Sequence, residues 1–98
     1  MPAQKILEDE YSLVIKDIHP KAPIHYLVMP KKHIADIQSI EPQDLPLVTH
    51  LFTQVQQLSK TVAGAHDFNV IINNGAAAGQ VIFHLHFHFL AGKKLFNL

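Results

Sequence analysis

Polar and apolar positions alternate strictly along His84-Leu85-His86-Phe87-His88-Phe89, inside a longer stretch that runs from Gly79 to Leu90. Alternation is the period of a half-buried strand. Successive side chains of a strand point to opposite faces. The pattern therefore predicts His84, His86 and His88 on one face, with Phe83, Leu85, Phe87 and Phe89 on the other, oily enough to face a core. At about 3.3 Å per residue, neighbouring histidines would stand roughly 6.6 Å apart along the strand.

Four other short segments read as strands. Residues 6–10 form a short edge strand ending in an acidic turn, and Tyr11 to Lys16 is rich in strand formers. Ile24 to Met29 is stopped by Pro30, and Asp67 to Asn73 precedes a small-residue loop from Asn74 to Gly79. Asp17 to Pro23 is a turn punctuated by two prolines, and His33 to Ile40 is a short helical turn. From Gln43 to Ala63 the period changes: Leu47, Leu51, Val55, Leu58 and Val62 recur at spacings of three and four, the mark of an amphipathic helix. Pro42 suits its start and Gly64 its end, while Pro46 sits in the first turn, where a missing N–H does no harm. The tail from Ala91 has no clear period. This order predicts an α+β fold: a five-stranded, mostly antiparallel sheet with one long helix on a face and one short helix.

Composition narrows the class. Ninety-eight residues, 48% apolar and 16% charged, suit one globular domain spanning 1–98. No apolar run is long enough for a membrane helix, and Met1 to Lys5 begins no signal-peptide pattern. The absence of cysteine removes disulfides, thiolate nucleophiles and cysteine-based zinc sites, and fits a cytoplasmic protein. Net charge is zero and all eight cationic residues are lysines, which argues against a nucleic-acid groove. With no arginine, a phosphate must be held by imidazoles, lysines and backbone N–H groups.

The chemistry follows by elimination. Ser12, Ser39 and Ser59 lie far in sequence from the histidine row, so a covalent mechanism points to histidine. A neutral imidazole can attack phosphorus without a separate base. The central His86 has an imidazole on each side to hold phosphate oxygens or protonate a leaving group. The loop Asn73 to Gln80, with its glycines and alanines, leaves the backbone bare enough to approach an anion. A zinc site is the rival reading, but His84 and His88 would be roughly 13 Å apart on a strand and could not close on one ion. His25, an odd polar residue on an apolar strand, is a further site candidate; His19, His33, His50 and His66 read as surface or capping residues.

The run His84 to Leu90 matches the His-φ-His-φ-His-φ-φ signature of the histidine triad (HIT) family. The resemblance extends to Asp17 through Ile34 and to Val70 through Gly75 followed by Gly79-Gln80, most of the chain from Lys5 onward. His88 disfavours the nucleotidyltransferase branch, which has glutamine there. Ala91-Gly92 stands where the dinucleoside polyphosphate hydrolases usually carry Pro-Arg. The chain is most similar to the Hint branch, whose members hydrolyse purine nucleoside 5′-phosphoramidates and related nucleotide adducts.

The resemblance implies a purine nucleotide substrate and a homodimer with one continuous ten-stranded sheet; no cofactor is expected, and the histidine spacing and the lack of a thiolate argue against a metal. It implies His86 as nucleophile, His84 orienting it, His88 at the phosphate and leaving group, and His25 behind the triad supporting His84. It further implies Asp17 on the ribose hydroxyls, Ile18 and Leu27 beside the base, and Asn73, Gly79, Gln80 and Val81 near ribose or phosphate. Three departures stand out. There is no Cys-x-x-Cys pair, Ile15 replaces a frequent aromatic, and Val81 replaces the usual Ser or Thr. A dinucleoside polyphosphate hydrolase and a nucleotide-binding module with residual turnover are the alternatives.

Overall fold

The structure, a computed structural model, describes residues 4–98. The reading of the N-terminus as free of a signal peptide falls on Met1 to Ala3 and so lies outside the described residues. Five strands form one sheet: β1 (Lys5–Glu8), β2 (Ser12–Lys16), β3 (Ile24–Pro30), β4 (Phe68–Ile71) and β5 (Phe87–Ala91). Their spatial order is β1-β2-β3-β5-β4, and every neighbouring pair is antiparallel. One long helix, α1 (Leu45–Thr61), crosses between β3 and β4, and the α+β architecture is the one the sequence predicts.

Pairing register sorts the two faces. Val14, Val28 and Phe87 face one another across β2, β3 and β5, and all three are buried. They form the core with Leu51, Val55 and Leu58 of α1, and Phe68, Phe89 and Tyr26 stack beside it. Alternation then puts a second row, Ile15–Leu27–His88–Ile71, on the face away from the helix. That face carries the chemistry.

Several boundaries differ from expectation for identifiable reasons. The helix begins at Leu45 because Pro42–Asp44 winds as a tighter 3₁₀ turn, closed by a reciprocal cap in which Glu41 and Asp44 bond each other's backbone. It ends at Thr61, and Gly64 turns the chain with φ +81°. The segment His33 to Ile40 contains a single 3₁₀ turn, Ile37–Ser39, capped by Asp36.

The largest correction concerns the histidine row. Strand β5 starts only at Phe87, so His84 and His86 lie in the bend before it rather than on one continuous strand. Here the chain leaves the sheet: the Leu85 N–H bonds the carbonyl of Ile34 at 2.6 Å. Leu85 is still buried, but Phe83 is 51% exposed and faces no core.

Candidate active site

Each of the three histidines is held differently. His84 turns its ring away from the other two: its Nε2–H bonds the Pro30 carbonyl at 2.7 Å, and its ring meets that of His33 edge-on at 5.4 Å. His84 nevertheless orients His86 through its main chain. The Nδ1–H of His86 donates to the His84 carbonyl at 2.7 Å. A carbonyl only accepts, so Nδ1 must carry the proton, and neutral His86 keeps a bare lone pair on Nε2, on the far edge of the ring.

His88 is wired by a second chain of bonds. The Lys21 backbone N–H donates to His25 Nδ1 at 3.0 Å, which forces the His25 proton onto Nε2. That Nε2–H then donates to His88 Nδ1 at 2.9 Å, so His88 carries its own proton on Nε2. His25, 4% exposed, thus supports His88 and not His84; β3 and β5 are hydrogen-bonded neighbours, whereas His84 has left the sheet. Burial lowers the proton affinity of both. Asp17 opposes this for both, while Lys21 adds to it at His25, and His86 and His25 add to it at His88. The rings of His86 and His88 meet edge-on, 5.1 Å between centroids.

Around this pair lies a cavity of about 360 Å³. Ile15, Ile18, Leu27, Val81 and Ile82 supply apolar wall; Asp17, Asn73, His86 and His88 supply polar groups, and Gly79 closes one side. Asp17 is aimed by two bonds: its N–H meets the His25 carbonyl at 2.9 Å, and its Oδ1 accepts the His19 N–H at 2.8 Å. A second cavity of about 430 Å³ adjoins the first, sharing Asp17, His19, Asn73 and His88 and adding His25, Leu95 and Phe96. A separate depression of about 640 Å³ around Asp67 and Lys93 touches no triad histidine.

Asp17, Ile18, Leu27, Asn73, Gly79, Val81, His86 and His88 therefore meet at one cavity. Gln80 does not. It is buried, with its amide oxygen taking the Gly75 N–H and its amide nitrogen donating to the carbonyls of Ala35 and Ile82, so it braces the loop instead of facing a ligand. Four N–H groups of the loop are also turned inward and not open to an anion. The N–H groups of Gly75, Ala78, Gly79 and Gln80 are all bonded within the loop. His19, expected at the surface or as a cap, lines both cavities; its signal was its place two residues after Asp17, where the backbone N–H reaches back to the carboxylate.

Asp17, His25 and His88 are the cluster among the described residues with ligand types and spacing suited to a cation. Yet the two rings meet nitrogen to nitrogen, 2.9 Å apart with centroids at 5.2 Å. The His25 Nε2–H points at the His88 Nδ1 lone pair, as in a hydrogen bond, and the two nitrogens do not converge on a third point. An ion would have to prise the rings apart.

A sheet whose helix-free face sets a bare imidazole nitrogen beside an imidazole N–H defines the histidine-triad class of protein. The sequence comparisons agree: residues 1–95 match the HIT domain, and the chain belongs to the HIT family. It is 38% identical over 93 residues to an uncharacterized HIT-like protein of Synechocystis, covering 95% of this chain and 82% of that one. A histidine triad protein from Clostridium difficile superposes with TM-score 0.93 at 38% identity, over 100% of this chain and 86% of that one. A HIT family hydrolase from Legionella pneumophila gives 0.90 at 32%, over 96% and 85%.

Proposed function

We propose that the protein hydrolyses purine nucleoside 5′-phosphoramidates and related nucleotide adducts through a nucleotidyl intermediate on His86. The supporting observation is the tautomer of His86: its Nδ1–H is tied to its own chain, leaving Nε2 unprotonated in a ligand-sized cavity. The nucleoside would place its base between Ile18 and Leu27 and its ribose hydroxyls on Asp17, whose carboxylate can accept both. His86 Nε2 attacks phosphorus, the bond to the leaving group breaks, and water then releases the nucleoside monophosphate. His88 Nε2–H sits where it can bond a phosphate oxygen or the leaving atom. The hydrolase named among the solved relatives is consistent with this reading. The proposed cellular setting is the cytoplasm.

The adjoining cavity favours one alternative, a dinucleoside polyphosphate hydrolase, because it offers room for a large leaving group beyond His88. Assaying an adenosine phosphoramidate beside a diadenosine polyphosphate separates the two: faster turnover of the phosphoramidate is expected, and the reverse order would favour the alternative. The proposed assembly is a homodimer. Strand β4 is an open sheet edge carrying Phe68, 40% exposed, and α1 presents a half-exposed Phe52. Sedimentation should report twice the 11.0 kDa chain mass; a monomer would refute the dimer.

A further inference from the structure

The wiring of His88 creates a difficulty for the chemistry just proposed, on which this inference rests. In the tautomer these bonds impose, neutral His88 holds its one proton on Nε2. Giving that proton to an amine would leave an imidazolate. Accepting a proton from water is equally blocked, because Nε2 has no free lone pair. Nor is there room for an extra proton within the chain of bonds. On His88 Nδ1 it would confront the His25 N–H, and on His25 Nδ1 it would confront the Lys21 N–H.

Asp17 stands at the junction. Its Oδ1 takes the His19 N–H, and its Oδ2 lies 3.4 Å from His25 Nε2. A carboxylate oxygen of Asp17 and one ring nitrogen each from His25 and His88 lie within 4.8 Å of one another. We propose that Asp17, besides lining the nucleoside cavity, is the positioning residue that switches His88 between its two working tautomers. When an anionic phosphate enters and His88 takes a proton from solvent, His25 Nε2–H and the new His88 Nδ1–H both turn to the Asp17 carboxylate. Its about four lone-pair sites take these two and the His19 N–H and leave one, so one ribose hydroxyl gives up its bond to Asp17 during this step.

Protons and electrons then balance through both steps. His86 Nε2 bonds phosphorus while the P–N bond breaks; its electron pair goes to nitrogen, which takes the His88 Nε2 proton, and a neutral amine departs. His88 is now neutral with Nδ1–H on Asp17 and a bare Nε2, the reverse of its resting tautomer. That Nε2 accepts a proton from the water attacking phosphorus, and the electron pair of the P–His86 bond returns to His86. Release of the nucleotide lets the extra proton return to solvent.

Burial, first, and then Lys21 at His25 and His86 and His25 at His88, hold both histidines neutral at rest; Asp17 is the group that favours their charged form, and the entering phosphate adds to it.

Substrates with a 2′,3′-dideoxyribose separate this role from ribose binding. At saturating substrate, Asp17→Asn should slow single-turnover nucleotidylation from a dideoxyadenosine alkylphosphoramidate by about 10²-fold, the usual worth of general acid–base help. Hydrolysis of the intermediate should slow comparably. Nucleotidylation from a dideoxyadenosine acyl phosphate, whose leaving group needs no proton, should fall less than tenfold. Equal losses for both leaving groups, or none with dideoxy substrates, would overturn the switch. Failure of the wild-type protein to form any nucleotidyl-histidine would instead overturn the proposed function. A measurement on the wild type guards against a misfolded variant: ¹⁵N spectra of the histidine rings should show His88 Nδ1 gaining a proton when adenosine 5′-monophosphate is added. An Nδ1 that stays unprotonated in that complex would contradict the proposal.

Discussion

At the residue scale, the nitrogen that carries the proton decides what each histidine can do. Alternation showed the triad as three imidazoles of one kind and the family resemblance implied a role for each, while the structure adds the bonds that hold each one differently. His84 braces the end of β3 with its ring and serves His86 only through a carbonyl, a group every residue has, so no pattern of side chains could have revealed it. The Lys21 N–H that sets the tautomers of His25 and His88 was hidden for the same reason. Val81 stands where the family resemblance places a hydroxyl. It lines the cavity at 84% exposure and offers no hydroxyl to a phosphate or a departing amine. A donor used only in the transition state is worth on the order of 10²-fold. Val81→Ser should therefore raise kcat/KM for an alkylamine-leaving phosphoramidate more than for an acyl adenylate. A uniform change across the two would show that His88 already supplies the needed donor.

At the element scale, the strands and helix were legible because burial on one face imposes a period, and the described elements follow it. What the sequence left open was where periodicity stops mattering. His84 to His86 keep the alternation of a strand while bending out of the sheet, because Leu85 finds its backbone partner on the Ile34 segment and not on β3. A second feature invisible to periodicity is the Asp9 carboxylate, which ties the β1–β2 turn to α1. It accepts the N–H groups of Tyr11 and Ser12, the Ser12 hydroxyl, and side-chain bonds from His50 at 2.7 Å and Gln54 at 3.0 Å. Burial pushes its pKa up, but these donors outweigh it and hold the group at about 2. Bonds to a charged group contribute about 1.5–3 kcal/mol each when buried, and Asp9 is over a third exposed, so Asp9→Ala should cost roughly 2 kcal/mol in all. Urea unfolding checks this, and a loss below about 0.5 kcal/mol would show the latch to be ornamental.

At the scale of the whole molecule, the sheet keeps two faces with opposite demands: Val14, Val28 and Phe87 against the helix, and Ile15, Leu27 and His88 toward the cavity. Packing two histidines into the second face couples stability to pH. His25 and His88 have proton affinities lowered by burial, so below about 6.5 the unfolded chain binds more protons than the folded one. Stability is thus fully present above that pH and falls as pH drops toward the folded values. The urea midpoint should be lower at pH 5.5 than at 7.5, with a smaller difference in His25→Gln; equal midpoints in the wild type would contradict the neutral wiring. The central claim, that this wiring makes His86 a nucleophile, meets its most direct test in acid-quenched mass spectrometry after mixing with an adenosine phosphoramidate. The account predicts a chain heavier by one adenylyl group, with the addition mapped to His86 and absent from His86→Ala. Turnover without any such adduct, or an undiminished rate in His86→Ala, would contradict it.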